Sequence, residues 1–563
     1  MKYASILSYL ASVLTIATAK NLHQSLSQYK TNGNSKWGTL DCPRFPDFLT
    51  SNPLPHGFPW GKFNGHDYET SKRVPHTRVT RHYNFTVARK CLSPDGYNKS
   101  SIFILTSIVV NGQFPGPATE ANWGDWIEIR VNNHIYDGVP GISQCPIAPG
   151  SSFTYRFRAD VYGTSWWHSQ FSAQYTAGVF GPIIIYGPKH TPYDVDVGPL
   201  LLDDYYHREY FDVLEDAAAP TEDFNTYVPW SDNSLINGKN NYNCSMANDT
   251  VVACIPDAGI TQFRFTPGKT HRLRLVNVGA AALLHFSIDK HKMKVIAHDF
   301  EPVVPYETDF ITLGAAQRTD VLVKADQDPK ETYWIRSTIS RNCSVTHNPQ
   351  ALAVLFYEGN SNIQEPQSTI NPAAAAADEK SFLCKNDDLN KTFPFFPKPT
   401  TDPTTTETIK VDLLTNATGH HWNVYNFGTN KTIRIVLNTI YQSAHPMHLH
   451  GHSFQVLVEG PGAWDGHTII NPYNPTRRDT HMQRRYGHLV IQFEADNPGT
   501  WSYHCHIALH ASMGYNIAIL ERGEELKGNR GAGRRIPGIM QKACLDWEKW
   551  TRNNTVNQID AGI

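Results

Sequence analysis

The chain has 563 residues, and at about 150 residues per domain this length predicts three or four domains. Its 50 Lys and Arg against 52 Asp and Glu give a net charge of −2, which argues against a nucleic-acid-binding protein because no positive field attracts phosphates. The 13 Trp, 26 Tyr and 26 Phe exclude a collagen-like or wholly disordered chain. Beyond the N-terminus no segment approaches the ~20 continuous apolar residues of a membrane span, so we expect no membrane partner.

The N-terminus has the pattern of a secretory signal peptide, predicted over residues 1–19. Lys2 supplies a positive charge, residues 4–16 are apolar, and residues 17–19 (ATA) form a small-residue cleavage site. A buried N-terminal helix is the alternative. Sequons of the form Asn-x-Ser/Thr also favour export, to the cell wall or beyond; they lie at Asn84, Asn98, Asn243, Asn248, Asn342, Asn390, Asn416, Asn430 and Asn553.

The number of cysteines is odd. In an oxidising compartment cysteines pair as disulfides, so one of them is expected to have another role. The nine cysteines are residues 42, 91, 145, 244, 254, 343, 384, 505 and 544. Cys505 lies between His504 and His506 and is therefore predicted to bind a metal. The other eight are enough for four disulfides; a different unpaired thiol or incomplete pairing are the alternatives.

Short apolar and aromatic runs separated by Pro, Gly and Asn predict β-sandwiches rather than helices. Alternation is visible at 271–276, and no long segment of 3.6-residue period with caps appears. The predicted strands include residues 126–131, 153–157, 271–276, 320–323, 433–437 and 489–493.

Two stretches rich in Pro and Gly divide the chain. Residues 359–404, with an alanine run at 373–377 and several prolines, are predicted to be a linker, although the alanines alone would make a marginal helix. The second stretch is Gly181–Pro199. The predicted organisation is a lead segment (20–64), three β domains (65–188, 195–358 and 405–525) and a C-terminal tail (526–563).

Two histidine-rich motifs near the C-terminus carry the chemistry: residues 445–452 (HPMHLHGH) and 501–510 (WSYHCHIALH). Side chains two apart on a strand point the same way, so His448 and His450 share one face. For the same reason His504 and His506 share a face, and Cys505 points to the other.

The ligands therefore divide into two groups. His445, Cys505 and His510 offer two imidazoles and a thiolate, the blue-copper arrangement that suits one-electron transfer. The second group offers only imidazoles and consists of His448, His450, His504 and His506. Because Cys505 is covalently joined to a histidine of the second group on each side, the chain offers a route for electrons between two metal centres.

These two motifs resemble the third and fourth copper motifs of the multicopper oxidases. Residues 111–117 (NGQFPGP), 144–147 (QCPI) and 162–168 (YGTSWWH) are also similar to that family. The resemblance covers roughly residues 40–550 and is closest to ascomycete laccase-like enzymes of the dihydrogeodin-oxidase-like phenol oxidase subgroup. Residues 43–61 look like the lead segment of that subgroup.

The resemblance implies an all-β fold of three cupredoxin-like Greek-key β-sandwich domains. It implies a monomeric copper oxidase that takes one electron from each of four phenols and reduces O2 to two waters, in secondary-metabolite or pigment formation. The partners would be a small phenolic substrate and O2. It further implies a disulfide between Cys145 and Cys544.

Carried over residue by residue, the family's type 1 copper site is complete, with His510 accepting an electron from the substrate and Cys505 passing it on. In the family's trinuclear cluster, one type 3 copper would keep His168 and His506, and the other His450 and His504. The type 2 copper would keep His448 alone.

The chain departs from the family at the first motif, normally His-Trp-His-Gly, which is missing between Val131 and Pro140. In the second motif Gln170 replaces a histidine, and an amide oxygen is a harder, weaker ligand. His134 lies at the junction and either fills the vacancy or is a loop residue. A second stretch is missing at 416–422. The alternatives are coding segments lost through wrongly assigned splicing and a genuinely degenerate protein.

Three further residues are singled out by the resemblance. Tyr515 occupies the axial position of the type 1 site, where a phenol could ligate weakly or turn away. Asp137 matches an acidic residue for proton delivery to the cluster. Asp204 matches a substrate-side acid that could take the phenol proton, the alternative being a solvated loop carboxylate.

Three functions compete. The first is an extracellular copper oxidase of phenols. The second is a non-enzymatic copper protein that keeps only type 1 copper and transfers single electrons or holds a radical. The third, a ferroxidase-type protein, is the weakest because no apolar span follows Ile519.

Overall fold

The structure is a computed structural model that describes most of the chain beyond the N-terminal region. The described residues are 45–50, 58–66, 73–98, 107–135, 139–141, 144–219, 229–247, 253–360, 364–366, 384–410, 423–528 and 538–552. The predicted signal peptide, the alanine run, the second junction at 416–422 and Asp137 lie outside the described residues.

The first part of the chain forms a four-stranded sheet, a three-stranded sheet and a hairpin. The four-stranded sheet contains, from edge to edge, β2 (Ser107–Val110), β1 (Thr80–Lys90), β4 (Trp126–Asn133) and β7 (Ser152–Arg158). The three-stranded sheet contains β3 (Thr119–Asn122), β9 (Phe180–Tyr186) and β8 (Gly163–His168). The hairpin pairs β5 (Val139–Gly141) with β6 (Gln144–Ile147). Val87, Ile127 and Ile184 bring both larger sheets into one core.

The middle of the chain forms a second sandwich. Its six-stranded sheet contains β11 (Asn233–Ile236), β10 (Val195–Tyr205), β13 (Thr270–Asn277), β18 (Arg318–Lys324), β15 (Met293–His298) and β16 (Glu301–Thr308). Its five-stranded sheet contains β12 (Thr261–Phe265), β20 (Gln350–Tyr357), β19 (Thr332–Ile339), β14 (Leu284–Ile288) and β17 (Ile311–Leu313). Leu275, Phe286, Val321 and Ile335 are fully buried between these sheets.

The third sandwich carries both histidine-rich motifs. One sheet contains β21 (Thr405–Lys410), β23 (Thr432–Asn438), β28 (Gly487–Glu494), β25 (Phe454–Pro461) and β26 (Thr476–Arg478). The other contains β22 (Val424–Gly428), β30 (Asn516–Glu521), β29 (Gly499–Cys505), β24 (His445–Leu449) and β27 (Thr480–Gln483). Ile435, Phe454, Ile491 and Tyr503 fill the core. The all-β prediction is confirmed, and each predicted strand lies within an observed one.

The structure shows the surroundings of two segments that the sequence singled out. The stretch Gly181–Pro199 contains the connection between β9, which ends at Tyr186, and β10, which begins at Val195; its role as a domain divider stays a prediction. Within the alternating segment 271–276, Arg274 is buried because Asp196 and Thr164 satisfy its guanidinium.

The helices of the described residues are α1 (Tyr210–Ala218), α2 (Ala508–Ser512), α3 (Gly523–Gly528) and α4 (Gly538–Thr551), with 3₁₀ turns at Gln174–Ala177 and Cys244–Met246. Helix α4 was not predicted. Its buried residue is Ala543, so its sequence carries no broad apolar stripe, and it is attached to β6 by a disulfide instead.

The disulfides are Cys145–Cys544, Cys244–Cys254 and Cys343–Cys384 among the described residues. The pairing of Cys145 with Cys544 that the resemblance implied is confirmed. Cys42 lies outside the described residues, so a fourth disulfide stays a prediction. Cys505 is fully buried and outside these bonds, as expected of a ligand.

Buried ion pairs join the three sandwiches. Arg318 of the second bonds Asp479 of the third through two guanidinium nitrogens, at 2.7 and 2.6 Å. Its Nε donates to the Thr164 carbonyl of the first at 3.2 Å. Arg478 in turn bonds Asp299. Because these groups are removed from water, their mutual satisfaction fixes how the sandwiches meet.

No helix of the described part of the chain is both long and apolar enough to cross a membrane.

Candidate metal centres

The first metal centre lies where β24 begins and β29 ends. Cys505 Sγ is 3.5 Å from His445 Nδ1 and 3.6 Å from His510 Nδ1, and the two nitrogens are 3.2 Å apart. Three atoms with these separations surround a point about 2 Å from each, close to the metal–imidazole bond length. The predicted group of His445, Cys505 and His510 therefore fits a trigonal copper site.

This centre reaches the surface on one side. His445 and Cys505 are buried, whereas His510, on the short helix α2, is partly exposed. The Ala508 amide donates to the Ala280 carbonyl at 2.8 Å, so a loop of the second sandwich fixes the helix. His510 is consequently the ligand that an external electron donor can approach.

Burial keeps the ligands of this centre neutral. It lowers the pKa of His510 to about 4 and that of His445 well below its ordinary value. It also raises the pKa of the Cys505 thiol, and the Ile507 amide that donates to Sγ only partly offsets this. A copper ion would supply the charge that stabilises the thiolate, and with it one-electron chemistry.

The second centre is built on the opposite side of the same two strands. His448 on β24 and His504 on β29 are direct cross-strand partners, which places their side chains on one face. His450 lies in the turn that follows β24. The next residue, Gly451, has a φ of +75°, and a Cβ at this position would clash with the Trp501 ring. Nε2 of His450 lies 3.1 Å from Nε2 of His504. One ligand atom each from His448, His450 and His504 lies within 4.8 Å of the other two.

His168 and His506 form a neighbouring pair between the first and third sandwiches. Their ring centroids are 5.1 Å apart, and Trp166 packs on both rings. Tyr175 donates from its hydroxyl to the His506 carbonyl at 3.0 Å. The structure thus brings the retained imidazoles of the predicted cluster into one region, and their assignment to individual coppers stays a prediction.

The backbone orients the imidazoles of the second centre. Nδ1 of His448 contacts the Asp479 carbonyl at 2.7 Å, and Nδ1 of His504 contacts the Cys505 carbonyl at 2.9 Å. A carbonyl can only accept, so each Nδ1 carries the proton and leaves Nε2 free to bind a metal. Burial lowers the pKa of every imidazole here, to about 3 for His504 and about 4 for His168. The His504 contact also links the two centres through the Cys505 backbone.

The structure places His134 and Gln170, the two residues that the sequence singled out near the altered motifs. His134 is exposed, which favours the loop reading over a ligand that fills the vacancy. Gln170 is half-buried after β8. Asp137 lies outside the described residues. Among the described residues, the three type 1 ligands lie together, and His134 belongs to no group of three or more potential metal ligands.

Asp204 is not a solvated loop carboxylate, so that alternative is wrong. It lies on β10, is 3% exposed, and accepts hydrogen bonds from the Ala280 and Ala281 amides. Burial outweighs these hydrogen bonds and raises its pKa to about 6. Because the Ala280 carbonyl accepts from Ala508, Asp204 supports the loop that holds α2.

Tyr515 lies beside the type 1 ligands. Its ring meets His445 edge-on, with centroids 4.9 Å apart, and its hydroxyl donates to Gln483 Oε1 at 3.4 Å. The hydroxyl is thus engaged with an amide, which favours the reading in which the phenol turns away.

Sequence reasoning missed the residues that orient the imidazoles. Asp479, Thr480 and Tyr175 contact His448 or His506, yet none lies in a recognisable motif. Their partners are about 30 to more than 300 residues away in the sequence, so only the fold reveals them.

Protein-family models match segments of all three sandwiches. Models described as multicopper oxidase match residues 86–136, 134–190, 196–360 and 394–525. The first two stretches belong to one model and meet where the first copper motif is missing. The chain belongs to the multicopper oxidase family, whose members are copper-dependent oxidoreductases, and its predicted cupredoxin-like fold is confirmed.

Proteins with similar sequences include fungal enzymes. The chain is 33% identical to Laccase-2 of Botryotinia fuckeliana, over 90% of this chain and 92% of that protein. It is 30% identical to dihydrogeodin oxidase of Aspergillus terreus, over 88% of this chain and 92% of that protein. Among solved structures, the laccase of Botrytis aclada matches with a TM-score of 0.78 at 30% identity, covering 92% of this chain and all of that one.

Proposed function

We propose that the protein is a secreted copper oxidoreductase that removes single electrons from phenols at the site formed by His445, Cys505 and His510. The observation that carries the proposal is the complete trigonal ligand set, with separations of 3.2 to 3.6 Å and one partly exposed imidazole. Similarity to Laccase-2 and dihydrogeodin oxidase supports a phenolic donor. The disulfides and the predicted signal peptide support an extracellular location.

In this proposal His510 faces the phenol and Cys505 leads inward. Each phenol loses one electron and one proton and becomes a phenoxyl radical, and two radicals couple to form a new bond. Asp204 is the proposed proton acceptor, supported by a pKa raised to about 6, and Asp137 stays a prediction for proton delivery. With O2 as the acceptor, four electrons and four protons would yield two waters.

The missing first motif and Gln170 favour a second candidate, a protein that exchanges single electrons at the type 1 site without reducing O2. Both candidates share the first step and differ in the acceptor. The comparison of anaerobic reduction with oxygen uptake therefore separates them.

The test uses the copper-loaded secreted protein and a dihydroxyphenol. Under argon we expect the phenol to bleach the blue absorption of the type 1 site, and in air we expect oxygen uptake. Cys505→Ser should abolish both, whereas the exposed control His467→Ala should abolish neither. Oxygen uptake that persists in Cys505→Ser refutes the mechanism, and bleaching without uptake selects the second candidate.

A further inference from the structure

The retained imidazoles are divided unequally between two parts of the molecule. His448, His450 and His504 all belong to the third sandwich, on or directly after β24 and β29. His168, by contrast, is supplied by β8 of the first sandwich. The missing motif also belongs to the first sandwich, so its loss leaves the contribution of the third sandwich whole.

The geometry points to a mononuclear metal site in place of a trinuclear cluster: we propose that His448, His450 and His504 bind one copper ion. Among the described residues, this group and the type 1 group are the sets of three or more potential ligands whose atoms lie within 4.8 Å of one another. Three imidazoles with an open further position are a sufficient ligand set for a single ion of this class. The proposal rests on the proposed function, because the site would receive electrons from Cys505.

The surroundings of these imidazoles are those of a metal site. The Asp479 and Cys505 carbonyls hold Nδ1 of His448 and His504, so that both Nε2 atoms turn inward. Thr480 adds a second contact to His448 Nδ1 at 3.0 Å. Such contacts fix the tautomer and the ring orientation of a ligand before the metal arrives. A bound ion would replace the 3.1 Å contact between the His450 and His504 nitrogens.

The pair of His168 and His506 offers too few ligands for a second ion of the same kind. Nδ1 of His168 contacts the Ser169 carbonyl at 2.9 Å, so this imidazole also presents Nε2. Nδ1 of His506, however, is buried without a hydrogen-bond partner, unlike its counterparts in His448 and His504. Two imidazoles, only one of them held by a carbonyl, fall short of the three or more protein ligands that such sites use.

The experiment counts copper per chain by elemental analysis and EPR-visible copper by spin integration. The expected result is about two coppers per chain, both visible by EPR, because two separate mononuclear Cu(II) ions do not couple. Copper beyond about two per chain, or an EPR-silent pair, overturns the proposal. So does copper confined to the type 1 site.

Variants locate the ion. His450→Ala and, separately, His504→Ala should halve the copper and keep the blue absorption. His168→Ala should keep both coppers, whereas in a trinuclear cluster it would remove or uncouple part of them. The exposed His467→Ala serves as the control for folding and copper loading. Anaerobic bleaching by phenol in His450→Ala reports the type 1 step separately, so a failure of the proposed function is distinguishable from a failure of this site.

Discussion

Replacing Arg318 with methionine tests whether the ion pairs between sandwiches also hold the second metal centre. The Arg318 side chain is 3% exposed, and its guanidinium contacts one residue in each of the other two sandwiches, Thr164 and Asp479. Methionine keeps most of the aliphatic volume and removes the charge. The carboxylate of Asp479, 16% exposed, would then lose its bidentate partner.

The magnitude follows from this burial. Removing one partner of a buried ion pair costs about 3 to 5 kcal/mol, because the other charge stays without compensation. We expect the lower end, about 3 kcal/mol, because Asp479 is not fully buried and water can approach it. For a domain of roughly 150–250 residues this lowers Tm by about 6 to 12 °C.

The same substitution should also disturb the imidazoles of the second metal centre. The carbonyl of Asp479 accepts from His448 Nδ1 at 2.7 Å, so a displaced Asp479 releases the ring that it orients. Differential scanning calorimetry, together with copper analysis, should show a lower Tm and loss of copper from the second centre with the blue absorption retained. Lys324→Met is the control, since Lys324 lies on the same strand, is 65% exposed, and is 3.9 Å from its carboxylate partner. A Tm for Arg318→Met within error of the control would refute the reasoning.

Two other predictions concern the surroundings of the type 1 site. The pKa of Asp204 is raised from 3.8 to about 6, so the folded protein binds its proton more tightly than the unfolded chain, and the stability this adds at low pH is lost as pH rises towards 6. At about 1.4 kcal/mol per pH unit, this difference in pKa corresponds to about 3 kcal/mol of stability. Asp204→Asn should therefore flatten the dependence of Tm on pH between pH 4 and 6. A slope equal to that of the wild type would contradict this prediction. Tyr515→Phe removes the hydroxyl that meets Gln483, so unfolding should cost about 1 kcal/mol less and the blue absorption should not change. A shifted absorption band would instead mean that the phenol ligates the metal.

The fold could be predicted from local pattern because β-sandwich strands are short, apolar and bounded by turn residues. The runs at 433–437 and 489–493 became neighbouring strands β23 and β28 in one sheet. Helix α4 escaped prediction because it is held at Cys544 and buries little apolar surface, so its sequence has no strong helical period.

The metal ligands could be predicted because their spacing along two strands already determines which side chains share a face. The alternation His504-Cys505-His506 separated a sulfur site from an imidazole site, and the structure has that separation. Contacts between residues that are far apart in the sequence leave no such pattern. The burial of Arg274, for example, depends on Asp196, 78 residues away, and on Thr164, 110 residues away.

Hydrogen bonds join the first sandwich to both of the others. Tyr175 donates to the His506 carbonyl, and Thr164 donates to Asp320 across the first two sandwiches at 2.7 Å. These contacts involve none of the three imidazoles of His448, His450 and His504. Hydrogen bonds and buried ion pairs thus join the sandwiches through residues outside that group. The proposed mononuclear site needs no ligand from the first sandwich, because His448, His450 and His504 all belong to the third.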